Sequence, residues 1–586
     1  MPEHGAPILL SLMTDLNFRK LERWIPWAVG VVLALPTLLV AYPPMADLPL
    51  HEAVVAMLRN WGDPAFRPAE VYQLNFGHPN QLFYFLALLL SYPLGTTWGC
   101  KLVVAASIVF MPVAGASLAT HLRRTRLTAP LVAPLALGWL YYWGLIANML
   151  SISVLLWAII VFDRQVKRPS PAGAAKVFGF LVLLSYCHEA AMLCGCVIYG
   201  IGCITRDFRW RPMLLRFVPL VLMALVTLWH LRASKSIARY VAVASEEDTL
   251  LHKLQVLSGV LVSGFEDWVR NLLFGFLVAS ALAFLVLRIR NRPKLPRSER
   301  IPRWRMWLFA YRMEIAALVI FACYWIFPQI LSGATLVYHR FLPIAWALFA
   351  IIVAPPRTAK PQRVAVIAAI AIPLAVWVVH VPQFIQADGI YRDFDSLMPR
   401  IERGSPVFLS QVSPRGDELY TMNTLAGHMV AMRGGRTAFD YTQSVLSPVY
   451  VTNKCDWPLS RDRLIADTRE FRPAYDMRRF RYVIFFAREF DAQRYLEEAM
   501  RPEGHFVASK GYWYLFESSL KVRPICSHDW KLADPPPDRV IDRLERIVAK
   551  ENGLDLSSDA GADGGPRRTG DAGVDSGLDA GAPGDP

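Results

Sequence analysis

Three ionisable side chains stand close together in the stretch that follows the first apolar run of the chain: Asp47, His51 and Glu52. A carboxylate in this stretch can take a proton from a hydroxyl group, and a neighbouring histidine can orient the carboxylate. Asp47 also suits the cap of a short helix that runs to about Arg59, with Pro49 in its first turn. On that helix Asp47 and His51 lie four residues apart and nearly share a face. The alternative is that Asp47 only caps the helix, while His51 and Glu52 face water.

Five further side chains lie beside apolar segments. His78 ends the same loop, where the alternative is an ordinary turn. His188 and Glu189 interrupt an apolar stretch, so we expect them to face the bundle interior or a cavity, either functionally or as a structural pair. His339 and Arg340 stand between two apolar segments, and an arginine fork there suits a phosphate or anchors the chain at the interface. Together these groups predict one site at the outer face of a membrane.

The sequence lacks the motifs of nucleotide-driven chemistry. It has no phosphate-binding glycine loop, no nucleophile elbow and no HExxH motif. Most of the Lys and Arg residues behind the net charge of +14 sit in short loops between apolar runs. Retention of Lys and Arg in the cytoplasm explains this pattern without a polyanion, so we expect no nucleic-acid partner.

The elements that must position these residues are membrane helices. The chain is 54% apolar and 19% charged, with a mean hydropathy of +0.31. Its apolar residues form runs of about 18 or more, the length that crosses a bilayer core. We predict a polytopic α-helical protein of about 10–12 spans. It has a cytoplasmic N-terminus (1–23), a membrane domain (24–385) and a first outer loop (43–79).

Basic loops give the orientation, because short loops rich in Lys and Arg stay in the cytoplasm. Such loops occupy residues 121–126, 163–176, 206–216, 288–312 and 357–363. The segment 177–204 must then enter the membrane and return, with His188 and Glu189 at the turning point. One conflict remains, because either residues 80–98 do not fully cross or the loop at Arg123 breaks the rule.

Residues 386–545 alternate between apolar and polar and predict a separate extracytoplasmic α/β domain. Predicted strands lie near 406–410, 482–486 and 512–516. Beyond residue 553 the tail to 586 is too poor in apolar residues to fold, so we expect disorder. Cys455 and Cys526 of this domain are either a disulfide or two unpaired thiols.

The order of these features resembles the GT-C superfamily of membrane glycosyltransferases, which includes the aminoarabinose transferase and protein O-mannosyltransferase types. Those proteins carry an acidic residue in the first outer loop, about a dozen spans and often an extracytoplasmic C-terminal domain. The matching stretches are residues 47–51, residues 79–84 at the start of the second span, and residues 338–343, which resemble a late arginine-bearing loop. The likeness covers most of residues 20–385.

The resemblance implies transfer of a sugar from a polyprenyl-phosphate carrier to an acceptor hydroxyl, with inversion, on the outer face of the inner (plasma) membrane. Asp47 would be the base. Arg340, with His339, would stabilise the leaving phosphate. His51 and Glu52 would orient the base, the sugar or a divalent metal.

His78 is a further orienting candidate in the same reading. Many members of the family have a second acidic residue in this loop, for which only Glu52 and Asp63 are available here. No cofactor is therefore certain, and use of a divalent metal stays open. The sugar and the acceptor, whether a glycan, a lipid or a protein, also stay open.

Two alternatives come from other classes. A secondary transporter also buries polar side chains in a helical bundle, although the sequence shows no internal repeat. A catalytically inactive relative that helps to assemble the envelope is the other. Sugar release from a polyprenyl-phosphate sugar separates the enzyme from both.

Overall fold

The computed structural model of the chain describes residues 18–66, 72–206, 210–233, 244–245, 249–262, 267–290, 303–331, 336–354, 362–412, 424–438, 441–444, 446–451, 468–488, 492–522 and 537–551. The predicted disordered tail and the predicted choice at Cys455 and Cys526 lie outside these residues.

The chain divides into two units. The helical unit consists of Met1–Met45 and Gly77–Gln386, and the mixed unit consists of Ala46–Phe76 and Ala387–Pro586. The stretch that carries Asp47, His51 and Glu52 therefore folds with the C-terminal part of the chain, although the helical unit separates them in sequence.

Most of the described residues are helical because the apolar runs must satisfy their backbone hydrogen bonds internally. The helices of eight residues or more are α1 (Phe18–Leu39), α2 (Leu48–Arg59), α3 (Leu82–Leu94), α4 (Thr96–His121), α5 (Ile146–Lys167), α6 (Pro171–Cys187), α7 (Glu189–Ile204), α8 (Trp210–Ala233), α9 (Leu250–Leu261), α10 (Asp267–Arg290), α11 (Arg303–Ala310), α12 (Arg312–Ile326), α13 (Phe341–Ile352), α14 (Gln362–Asp395), α15 (Ala426–Arg433), α16 (Ala492–Met500) and α17 (Val540–Glu551). Helices α2 and α15–α17 belong to the mixed unit, and α14 begins in the helical unit and ends in the mixed unit.

Within the described ranges, six helices are long and apolar enough to cross a membrane: α1, α4, α5, α8, α10 and α14. Helices α11 and α12 are a seventh candidate, bent by 67° at their junction. Shorter apolar helices are α3, α6, α7, α9 and a segment containing α13. The chain is thus a multi-pass helical membrane protein, as predicted.

The uncertain segment 80–98 contains a short helix followed by the start of a long one. Helix α3 has 13 residues and ends before Gly95, whose φ of 86° breaks the helix. Its length of about 20 Å falls short of a hydrocarbon core of about 30 Å, whereas α4, at about 39 Å, exceeds it. Helix α3 is therefore too short to cross the core by itself, which favours the first of the two alternatives. A single full crossing before Arg123 is what the charge pattern requires.

A buried ionic network marks one end of the helical unit. The Asp163 carboxylate, at the end of α5, binds Arg312, lies 2.8 Å from His121 Nε2 and lies 2.6 Å from Lys167 Nζ. Arg216 donates to the Val166 carbonyl, 3.1 Å away. These contacts bring together four of the five predicted basic loops, as the charge pattern predicts.

Arg340 lies at the other end of the helices. It directly precedes α13, and the last residue of that helix, Ile352, accepts a hydrogen bond of 2.6 Å from Arg288 beside the ionic network. The 12 residues of α13 span about 18 Å, which separates Arg340 from the network along the helix axis.

The mixed unit contains a four-stranded sheet. Its strands stand in the order β4 (Val407–Gln411), β6 (Tyr482–Phe486), β8 (Trp513–Ser518) and β7 (Gly504–Lys510). The pair β4–β6 is parallel, while β6–β8 and β8–β7 are antiparallel. Three of these strands match the predicted ones, and β7 was not predicted. The described residues also form two-stranded pairs, β1 (Tyr72–Leu74) with β5 (Val449–Val451) and β2 (Ala244–Ser245) with β3 (Ile330–Leu331).

Candidate functional site

The predicted polar residues of the helical unit lie around a helix break at His188. Helix α6 ends at Cys187, α7 begins at Glu189, and His188 between them is extended, with φ −167° and ψ 135°. Its ring Nδ1 accepts a hydrogen bond of 3.1 Å from the backbone N–H of Ala190 and so caps α7. The helix breaks at the histidine where the sequence predicts a turning point, and the return through the membrane stays a prediction.

Arg340 contacts Nε2, the second ring nitrogen of His188. Its Nη1 lies 2.7 Å from His188 Nε2, and the imidazole is 6% exposed. Arg340 and the Ala190 amide are both N–H donors, and a neutral imidazole has one acceptor nitrogen. Only one of the two contacts can therefore be a full hydrogen bond. An anionic oxygen at this point would accept from the guanidinium and from the ring N–H together.

The segment that opens the second apolar run is bonded to this break. Asn80 accepts from the backbone N–H of Glu189 at 3.3 Å, and its own N–H donates to the Ser185 carbonyl at 3.2 Å. The backbone N–H of His78 donates to Gln81 Oε1 at 3.3 Å. His78 and Glu189 are thus held near the same break as His188.

His339 has a packing role in the structure. Its ring is 7% exposed and stacks on Trp139, with centroids 4.9 Å apart, and on Tyr338, with centroids 3.9 Å apart. Lys253 Nζ lies 4.7 Å from the Tyr338 ring and donates to the Phe327 carbonyl at 2.7 Å. This stack fixes the backbone that carries Arg340.

In the mixed unit, α2 has the predicted bounds, but the predicted cap is wrong. Asp47 occupies the N-cap position of α2, yet its side chain makes no capping hydrogen bond. The His51 ring lies 4.6 Å from the Tyr441 ring. Burial lowers the pKa of His51 to about 3, so this imidazole is neutral at physiological pH.

Glu52 does not face water, which corrects that alternative. It is 0% exposed, and its Oε2 lies 2.7 Å from Nδ1 of His428 on α15. Nε2 of His428 lies 3.1 Å from Asp395 at the end of α14. Burial alone would lower the pKa of His428, but the charge of Glu52 and the hydrogen bonds to both carboxylates outweigh it and raise the pKa to about 10.

The sequence-predicted residues thus fall into two groups. His78, His188, Glu189, His339 and Arg340 belong to the helical unit, and Asp47, His51 and Glu52 belong to the mixed unit. That the two groups share one cavity stays a prediction. In the part of the chain that the structure describes, no three His, Cys, Asp or Glu side chains form a metal site.

Sequence reasoning missed His428, Asp395 and Asn80. The signal for His428 was a histidine between Gly427 and Met429, in an apolar stretch of the C-terminal part of the chain. Such a histidine is costly to bury without a charged partner. Nothing in the sequence identified Glu52 as that partner, because the two residues are far apart along the chain.

No protein-family model matches the sequence, and comparison with curated proteins gives no match. Among solved structures, the chain is similar to ArnT from Cupriavidus metallidurans bound to undecaprenyl phosphate, at 11% identity and a TM-score of 0.49, over 89% of this chain and 100% of that one. The apo form of ArnT gives 11% identity and a TM-score of 0.45, over 83% and 96%. Arabinofuranosyltransferase AftD from mycobacteria gives 14% identity and a TM-score of 0.45, over 86% of this chain and 42% of that one. ArnT is an aminoarabinose transferase, a type named in the sequence resemblance.

Proposed function

We propose that the protein is a GT-C-type glycosyltransferase. It moves a sugar from a polyprenyl-phosphate carrier to an acceptor hydroxyl, with inversion, on the outer face of the inner membrane. The observation that carries the proposal is the contact of Arg340 with His188 at a helix break, where two N–H donors converge on one buried ring. A guanidinium fork at a helix break suits a phosphate oxygen, because it carries a fixed positive charge and several N–H donors.

The chemistry divides between a base and an anion site. Asp47 takes the proton of the acceptor hydroxyl, while the oxygen of that hydroxyl forms the new bond to the anomeric carbon. The bond from that carbon to the carrier oxygen breaks, and the electron pair leaves with the polyprenyl phosphate. This leaving group is a stable anion and needs positive charge rather than a proton, which Arg340 provides.

The two ends of the helical unit support the proposed orientation. The network around Asp163 gathers basic loops, which the retention of Lys and Arg assigns to the cytoplasm. Arg340 and the His188 break lie at the opposite end, which is then the outer side. Nucleotide sugars are absent there, so a lipid-linked sugar is the fitting donor.

The test incubates purified protein in detergent with a panel of sugars on undecaprenyl phosphate and a membrane extract as acceptor source. Release of undecaprenyl phosphate is measured. We expect Asp47→Asn to lower the rate by about 10²- to 10⁴-fold, the usual contribution of a general base. Asp538→Asn is the control, because Asp538 is an exposed carboxylate outside the candidate site that pairs with Arg546 at 2.5 Å.

Two results would contradict the proposal. Turnover by Asp47→Asn at the wild-type rate would remove the catalytic assignment. A wild-type protein that moves the carrier-linked sugar across a vesicle membrane without consuming it would be a transporter.

A further inference from the structure

The N-terminal end of α2, which begins beside Asp47, contacts a neighbouring segment at three residues. One residue lies just before the helix and two lie within it. The Ala46 carbonyl accepts a hydrogen bond from the Thr424 hydroxyl. The Pro49 backbone lies against Gly427, where a Cβ atom would stand 2.5 Å from the Pro49 oxygen. The groups that make these two contacts, Thr424 and Gly427, are three residues apart in one short segment of the chain.

The third point is Glu52, whose buried carboxylate meets His428 at 2.7 Å. All the holding groups come from Thr424 and the start of α15, and all lie in the mixed unit with Asp47. Behind them Ala56 of α2 and Ala431 of α15 belong to one apolar cluster with Phe66, so the two helices approach closely.

None of the three contacts involves the side chain of Asp47 or of His51. Backbone bonds of 3.1 Å from the N–H groups of Leu50 and His51 to the Asp47 carbonyl close the first turn. A shift of α15 would therefore move the turn that bears Asp47.

We propose that residues 424–428 form a positioning clamp, through which the C-terminal domain sets the place of the Asp47 carboxylate. The inference rests on the proposed function of Asp47 as the base. It gives the C-terminal domain a role in catalysis through α2, and it makes Thr424 and His428 positioning residues.

The experiment uses the full-length protein and the Thr424→Val and Thr424→Ser variants. Val keeps the shape and removes the hydroxyl, while Ser keeps the hydroxyl. We expect Thr424→Val to lower kcat for carrier release about tenfold, within what a slight misplacement of a catalytic group costs. KM for the undecaprenyl-phosphate sugar should stay within about twofold, because substrate binding is unchanged. Thr424→Ser should restore kcat.

Hydrogen–deuterium exchange of residues 48–59 tests the clamp without activity. Thr424→Val should exchange faster there than the wild type. Thr205→Val is the control, because its hydroxyl bonds within its own helical end, to the Ile201 carbonyl at 2.9 Å. This variant should change neither exchange in α2 nor kcat.

Unchanged exchange in Thr424→Val would overturn the clamp, as would a wild-type kcat or a loss that appears only in KM. A wild-type protein without transfer activity, but with faster exchange in Thr424→Val, would overturn the proposed function and leave the clamp as a structural contact.

Discussion

Each unit buries a histidine against a charged side chain, but the partners have opposite signs. In the mixed unit His428 lies between two carboxylates, 2.7 Å from Glu52 and 3.1 Å from Asp395. In the helical unit His188 lies 2.7 Å from the Arg340 guanidinium and already accepts a backbone N–H.

The contact of His428 with two carboxylates is structural, whereas the contact of His188 with Arg340 suits the binding of an anion. An imidazolium between two carboxylates has its charge matched, and its removal would leave the buried Glu52 carboxylate without this partner. A guanidinium beside a buried imidazole at a helix break keeps a fixed positive charge and several N–H donors, which suit an added anion. Histidine burial alone would not have distinguished the two sites.

Breaking the carboxylate-bound histidine should have the largest effect on stability. His428→Ala leaves Glu52 buried without this partner, which costs about 3–5 kcal/mol in comparable buried pairs. Denaturant unfolding of the purified protein in detergent measures the loss. Asp395→Asn is the control, since its partly exposed side chain keeps an oxygen acceptor, and we expect about 0–1 kcal/mol. Equal losses in both variants would contradict the comparison.

The free energy of unfolding of the mixed unit should fall at both ends of the pH range, at alkaline pH because of His428 and at acid pH because of His51. The pKa of His428 is raised from 6.5 to about 10, so its stabilisation is full below pH 6.5 and disappears as the pH rises through about 10. The pKa of His51 is lowered to about 3, so the cost of keeping it neutral grows as the pH falls from 6.5 towards 3.

Single variants separate the limbs. His428→Gln should flatten the alkaline limb, and His51→Gln should flatten the acid limb, each measured as the slope of unfolding free energy against pH. An alkaline slope that survives in His428→Gln would show that other groups cause it.

The sequence predicted the membrane class, the bounds of α2 and three strands of the four-stranded sheet. These follow from local patterns of apolar residues and from turn residues. Strand β7 was missed because it carries few apolar side chains, as in Gly504–Lys510. The sequence also missed the end of α3 before Gly95, because hydropathy does not detect a helix break.

At the candidate site, the sequence identified residues but not their partners. It placed His188 at a turning point and Arg340 at the outer end, and the structure brings the two together. It left open that Glu52 faces water, which is wrong, because Glu52 is buried against His428. Its orienting role stays a prediction. That pairing joins distant segments of the chain, and local pattern carries no information about it.

Binding of undecaprenyl phosphate to the purified protein tests the central claim most directly. We predict that Arg340→Ala weakens binding about 10- to 150-fold, as expected when hydrogen bonds to a charged group are lost. Arg340→Lys should lie between Ala and the wild type, because lysine keeps the charge but not the fork. Arg392→Ala, which removes an exposed partner of Asp388, should bind normally. Wild-type affinity in Arg340→Ala would contradict a phosphate site at the His188 break.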